Sequence, residues 1–194
     1  IAGLSAKNRE AFLTKLRQNY GTERILAKLS EYGIPNKLAF QVQDFYKEET
    51  LEIVEHYPYQ LVEDIQGIGF KIADQLAQSL GIEGTAPERF RAGLLHTLLT
   101  QSMEKGDTYL EAKELLEHTI ELLESSRQIE LDPSSVADEL AHLIEEDKVQ
   151  NIDTKIFENS LFFAEEGIRS NLLRILEKGK QNKFEPKKIE AAIA

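Results

Sequence analysis

The sequence predicts a mainly α fold: a tandem helix-hairpin-helix bundle followed by a winged-helix-like segment with one small β-hairpin. Three observations predict it. Apolar residues recur at three- and four-residue steps through most of the chain. Two short glycine turns, Tyr32-Gly33-Ile34-Pro35 and Gly67-Ile68-Gly69, each lie between such runs. The period changes once, over residues 148–163, where Val149, Ile152, Ile156, Asn159, Leu161 and Phe163 flank Asp153-Thr154 as two strands flank a turn.

Taken in order, Ser5 caps a first helix to Asn19, with Phe12, Leu13 and Leu16 on its apolar face and Gly21 past its end. Thr22 caps a second, Glu23 to Tyr32, which Gly33 and Pro35 break. A third runs from Asn36 to Tyr46 with Leu38, Ala39, Val42 and Phe45 at helical spacing, and Thr50 caps a fourth that Pro58 stops. Two more helices flank Gly67-Ile68-Gly69, and Gly81 ends the second of them. Gly81 to Pro87 reads as a linker. Thr85-Ala86-Pro87-Glu88 has capping-box spacing and opens a helix to Glu104. After the turn Gly106-Asp107, Tyr109-Leu110 leads into a helix from Glu111 to Glu124. Asp132-Pro133 opens another to Glu146. The strands follow, then a helix from Ala164 to Lys178, and a Lys-rich tail over residues 180–188. The expected domains are residues 1–82, 86–165 and 166–194.

Composition narrows the function. No apolar run reaches the roughly 18 residues of a membrane span. There are no cysteines, which excludes disulfides and thiolate metal sites. With no targeting segment, the expected compartment is the cytoplasm. Opening on Ile1, the chain reads as a piece of something longer or as processed. Net charge is −11, unevenly spread. Residues 1–47 hold eight Lys/Arg against four Asp/Glu, residues 48–166 eight against twenty-seven, and residues 167–194 seven against three. The acidic middle opposes nucleic acid, yet backbone N–H groups hold a phosphate without formal charge.

The second glycine turn carries the chemistry. Gly67 and Gly69 permit a sharp turn and leave no side chain between backbone and ligand. Ile68 points inward and joins the two helices. The helix starting at Phe70 presents unpaired N–H groups and the positive end of its dipole, an anion site suited to phosphate. Lys71 adds a charge, and Ala73 lets the helices approach. The expected DNA-binding residues are therefore Gln66, Gly67, Ile68, Gly69, Phe70 and Lys71. A weaker second hairpin comprises Gly33, Ile34, Asn36 and Lys37, with Pro35 where the second glycine would be. The competing reading of either turn is an ordinary bend in a helical bundle.

Other chemistries fail on spacing. Gly179-Lys180 is followed by Gln181, and Arg174 stands where a phosphate loop needs its first glycine. His56, His96, His118 and His142 lie on separate elements without metal-ligand spacing, so no metal site is expected. Glu111, Glu114, Glu117, Glu121 and Glu124 describe a solvated helix face rather than a nuclease cluster. No catalytic residue is expected. Tyr57, Tyr59, Phe162 and Phe163 are aromatic candidates for stacking on bases, with a core role for the Phe pair the commoner one.

Tyr57-Pro58-Tyr59-Gln60-Leu61, Ile65-Gln66-Gly67-Ile68-Gly69-Phe70, Ala73-Asp74 and Leu80-Gly81-Ile82 together resemble the N-terminal region of the RecD-like (RecD/TraA) bacterial DNA helicases, in the long form that acts outside RecBCD. Tyr32 to Pro35, Arg89-Phe90-Arg91-Ala92-Gly93 and Thr108-Tyr109-Leu110 fit the same pattern; Lys105-Gly106-Asp107-Thr108 departs from it, standing where a Gly-His-Thr is expected. The resemblance implies a superfamily 1, ATP-dependent helicase moving 5′ to 3′ on single-stranded DNA in repair and recombination. It makes this chain an accessory module, with residues 166–194 leading toward a helicase core. ATP and Mg²⁺ then belong to the parent enzyme, with no cofactor in this fragment. The implied partners are DNA, single-stranded or at a single-strand/duplex junction, and the remainder of the same helicase chain; no membrane is involved. Two other readings stand beside it: a protein-interaction or autoregulatory module docking on the helicase core or a repair partner, and a nuclease or glycosylase carrying the same hairpin.

Overall fold

The computed structural model describes Glu10 and residues 21–181. The helix expected over Ser5–Asn19, apart from Glu10, and the tail beyond 181 lie outside the described residues.

Helix α1, described over residues 21–31, already includes Gly21 and Thr22, which were expected to stop one helix and cap the next. A glycine inside a helix costs only about 1 kcal/mol. Leu29 is fully buried and Ile25 and Leu26 pack against the core, so the apolar face outweighs that cost. Helix α2 (Asn36–Tyr46) forms as expected and buries Ala39 and Val42. A 3₁₀ turn, Lys47–Glu49, leads into α3 (Thr50–His56). Thr50 is not its cap. It lies inside the first turn, fully buried, with its hydroxyl donating to the Lys47 carbonyl at 2.8 Å. Helices α4 (Gln60–Asp64) and α5 (Phe70–Ser79) flank the second glycine turn.

Helix α6 (Pro87–Lys105) starts without the expected capping box. Ala86 is the cap position, with no side-chain bond, and Pro87 supplies the helical φ. Tyr109-Leu110, expected to lead into a helix, instead form strand β1 (Tyr109–Glu111), and α7 spans Ala112–Arg127. Three residues are too few to show a two-residue period; only the distant partner strand makes them β. Helix α8 (Pro133–Glu145) begins as expected, with the Asp132 carboxylate accepting from the Ser134 N–H at 3.0 Å.

Strands β2 (Val149–Ile152) and β3 (Lys155–Glu158) turn at Asp153, whose φ of 56° is left-handed. The expected hairpin is thus part of a three-stranded antiparallel sheet ordered β1-β3-β2. Leu110 pairs with Ile156, and Asn151 with Ile156 from the other side. The β segment ends five residues early. Asn159, Leu161 and Phe163 belong to α9 (Asn159–Gln181), which also contains Gly179. The Glu158 carboxylate accepts from the Leu161 N–H at 3.1 Å and so closes the helix start. Glutamate is not among the usual caps, and the sequence pattern therefore missed it.

One continuous core joins both halves. Ile34, Val42, Leu61 and Leu76 fill it among α1–α5; Leu94, Leu115, Leu140 and Ile156 fill it beneath the sheet. Helices α6 and α7 cross closely because Gly93 has no side chain: a Cβ there would lie 2.9 Å from Leu123 Cδ2.

Candidate nucleic-acid interface

The interface is built by two chain reversals of the same form. In the second, Gly67 has φ +100°, a conformation side chains resist. A Cβ there would also lie 3.3 Å from Leu38 Cδ2 of α2. Ile68 follows, 2% exposed, its N–H donating to the Ile65 carbonyl at 3.0 Å. Gly69 is the cap of α5, with extended backbone (φ −85°, ψ 171°). Its conformation does not require glycine, and a Cβ built on it meets nothing within 4 Å. The missing side chain therefore serves open space in front of the helix.

That open space faces unpaired donors. The first bonds back to Gly69 come from the N–H groups of Ile72 (3.1 Å) and Ala73 (3.3 Å). The N–H groups of Gly69, Phe70 and Lys71 have no acceptor among the described residues. Three clustered donors at the positive end of a helix form an anion site. Lys71 is exposed and joins no ion pair among the described residues, which leaves its charge for a ligand.

The first reversal repeats this plan. Gly33 has φ +81°, Ile34 is 2% exposed, and Pro35 caps α2 with extended backbone (ψ 140°). Gly33 and Ile34 close α1 by donating to the carbonyls of Ser30 (3.0 Å) and Leu29 (3.1 Å). The first bond into the Pro35 carbonyl comes from the Ala39 N–H at 2.9 Å, which leaves Asn36, Lys37 and Leu38 without acceptors among the described residues. Lys37 is exposed and unpaired there too.

Of the residues expected to contact DNA, Gln66, Gly67, Lys71, Gly33, Asn36 and Lys37 are exposed and Gly69 half-buried. Ile34, Ile68 and Phe70 are buried, so they have only backbone to offer. The Phe70 ring stacks between Tyr59 (5.9 Å) and His96 (6.1 Å). Among the aromatic candidates, Tyr59 is buried, whereas Tyr57 and Phe163 are exposed. Phe162 packs edge-on against Phe157 at 5.5 Å.

Two polar contacts fix the second reversal. The Tyr46 hydroxyl donates to Asp64 at 2.6 Å and ties the end of α2 to α4; burial, helped by that carboxylate, raises the phenol's pKa. The other is a buried cluster around Asp74, one turn into α5. Asp74 accepts from Arg89 Nε (2.9 Å) and Nη2 (3.0 Å), from Arg127 Nε (3.0 Å) and Nη2 (2.7 Å), from Ser126 Oγ (2.5 Å) and from Tyr59 Oη (2.8 Å). Burial alone would raise its pKa; the hydrogen bonds from Arg89, Arg127, Ser126 and Tyr59 outweigh that and hold it at about 2. The same arginines reach the carbonyls of Gly84 (2.8 Å) and Ile82 (2.6 Å). The segment expected as a linker is therefore pinned on both sides. Sequence reasoning saw Asp74 and Arg89 as parts of a resemblance but assigned them no role; nothing local signals that residues so far apart meet.

Residues 18–109 match the family model described as the ATP-dependent RecD2 DNA helicase HHH domain. The match contains both reversals, Asp74 and Arg89, and ends at the start of β1.

Proposed function

This chain carries the helix-hairpin-helix domain of a RecD2-type DNA helicase, and from that premise we propose that it is a sequence-independent clamp on the DNA backbone. In this reading it serves an ATP-dependent 5′ to 3′ helicase of repair and recombination as an accessory module. One observation carries the proposal: the N–H groups of Gly69, Phe70 and Lys71 have no acceptor among the described residues and lie at the bare Cα of Gly69, beside the exposed Lys71, which joins no ion pair there. A phosphate there receives charge-assisted hydrogen bonds from backbone donors, which read no bases. Lys37 and the Asn36, Lys37 and Leu38 donors offer a second grip, approached past the Pro35 ring. The ligand is DNA, single-stranded or at a junction with duplex.

ATP and Mg²⁺ belong, in this reading, to a motor attached to the module in the cytoplasm. Gly179 and Lys180 are helical, as part of α9, where a phosphate loop would need an open turn. No described helix is long and apolar enough to cross a membrane.

The test is DNA affinity against salt. A clamp on Z phosphates gives a slope near −0.9Z in log K against log salt for duplex, and about −0.7Z for single strands. A Gly67→Glu/Gly69→Glu variant should lose affinity about tenfold or more, as expected for losing a charge-assisted bond of roughly 1.5–3 kcal/mol. Equal binding by this variant, with its fold intact by circular dichroism, would sink the clamp. Nicking of DNA by the chain with Mg²⁺ would instead favour a nuclease.

A second reading applies to the second half. The order α6, β1, α7, α8, β2, β3 is that of a winged helix. The helix such a fold would lay on DNA, α8, carries Asp138, Glu139 and Glu145 and no Lys or Arg. Those carboxylates repel phosphates, and Glu139 is further engaged by Arg91 at 2.6 Å. We assign this half to protein docking, on the helicase core or a repair partner. Binding to the remainder of the helicase that survives loss of the hairpin supports it.

A further inference from the structure

We propose that the protein holds an unpaired nucleobase in a cleft beside the second hairpin, with Phe45 as its stacking surface. The proposal rests on the DNA-clamp reading and specifies its substrate as single-stranded.

The cleft has a volume of about 380 Å³ and is lined by Gln41, Asp44, Phe45, Asp64, Ile65 and Gln66. It is continuous with the hairpin, because Gln66 lines the cleft and precedes Gly67. It also runs along one face of α2: Leu38, Gln41 and Phe45 follow at helical spacing, and Leu38 lies against Gly67. From Gln66 to Gly69 is at most roughly 11 Å of chain. That is about three stacked nucleotides at roughly 3.4 Å each, so one strand reaches both the cleft and the donors of α5.

The lining suits a base and not a phosphate. Phe45 is 58% exposed, on a helix whose Leu38, Ala39 and Val42 reach the core, and its edge contact with Tyr46 (4.9 Å, 78°) leaves the ring accessible. The side chains of Gln41 and Gln66 have no hydrogen-bond partner among the described residues. Each amide both donates and accepts, as the edge of any base requires. The two carboxylates are already engaged: Asp44 by Lys47, and Asp64 by Tyr46 at 2.6 Å and Gln60 at 3.0 Å. No cation in the cleft is free to attract a phosphate. A paired base in duplex has both its face and its edge occupied, so only an unpaired one fits. The larger groove lined by Tyr57 and His96 is net acidic, with Glu63, Glu88, Glu146 and Glu158 against Arg91 and Lys148, and its Arg91 is already engaged by Glu139 and Glu146.

The experiment measures affinity of the 194-residue chain for a single-stranded oligonucleotide, for the same strand with abasic sites, and for duplex of the same length. Base–aromatic stacking predicts that Phe45→Ala weakens single-strand binding at least about fivefold. It should leave duplex binding unchanged, and the abasic strand should bind the parent as weakly as the intact strand binds the variant. Phe45→Trp should retain affinity. Phe40→Ala removes an equally exposed ring from the same helix outside the cleft and should change nothing. If Phe45→Ala or the abasic strand binds as tightly as the parent pair, the base site is overturned while the clamp stands. If the parent binds neither DNA, or the Gly67→Glu/Gly69→Glu variant binds as the parent does, the clamp fails and this inference with it.

Discussion

The two hairpins of this molecule superpose in sequence at a spacing of thirty-four residues, and they differ where it matters. Gly33, Ile34, Lys37 and Ala39 correspond to Gly67, Ile68, Lys71 and Ala73. The isoleucines are equally buried, and both alanines lie in the core at 1% and 0% exposure. Among the positions that differ, two matter most. Pro35 stands for Gly69: it keeps the extended cap backbone but has no N–H and fills the approach with its ring. Phe40 stands for Asp74. The first residue is exposed and the second is the centre of the buried arginine cluster. The same backbone plan thus serves one hairpin open to a ligand and anchored to the second half of the molecule, and another with three donors of its own but none at the cap, a ring in the approach and no such anchor. Backbone geometry sets where a phosphate can sit; single side chains decide how open the approach is and how firmly the turn is held.

Removing the anchor should have the largest effect. Asp74→Ala leaves Arg89, fully buried, and Arg127, nearly so, without their carboxylate. Breaking a buried pair from one side costs about 3–5 kcal/mol. Phe40→Ala, at the corresponding position, should cost less than about 0.5 kcal/mol because its ring is exposed. Urea unfolding of the two variants measures the difference; equal midpoints would mean that the cluster holds nothing.

Acid should separate the hairpins next. Asp74 has its pKa depressed to about 2 in the folded state against about 3.9 unfolded. Its contribution is present above the unfolded value and is lost as pH falls from about 4 toward 2. The size is on the order of 2 kcal/mol. His96, stacked on Phe70, has its pKa lowered by burial. It favours folding above its unfolded pKa of about 6.5, and that support declines as pH drops below it. Beside the first hairpin, the Lys28–Glu55 pair is partly exposed and screened, so its loss matters less. Amide exchange at Ala73 should therefore speed up on acidification before that at Ala39. The opposite order would contradict this account.

Pro35→Gly should have the smallest effect and is the most direct repair of the mismatch. It restores an N–H at the cap and clears the approach. Freed backbone in the unfolded chain should lower stability by about 0.4–1 kcal/mol. DNA affinity should nevertheless rise a few-fold. Unchanged affinity would mean that the first hairpin does not touch the backbone.

The sequence alone determined what is local. Helical spacing located α2, α5, α7 and α8 to within a few residues, because each buries a stripe its own residues define. The glycine turn at residues 67–69 was legible because only a small residue tolerates the positive φ of Gly67. Asp132 could be read as a cap from its own position. What only the tertiary structure decided depends on partners far along the chain. Strand β1 exists because β3 pairs with it. Helix α1 passes through Gly21 because the core rewards its apolar face. Asp74 looks like an ordinary polar residue on α5 until Arg89, Ser126 and Arg127 converge on it. Phe45 looks like one more apolar residue of α2 until the core forms without it. In each case the deciding interaction is non-local, and no window of sequence contains both partners.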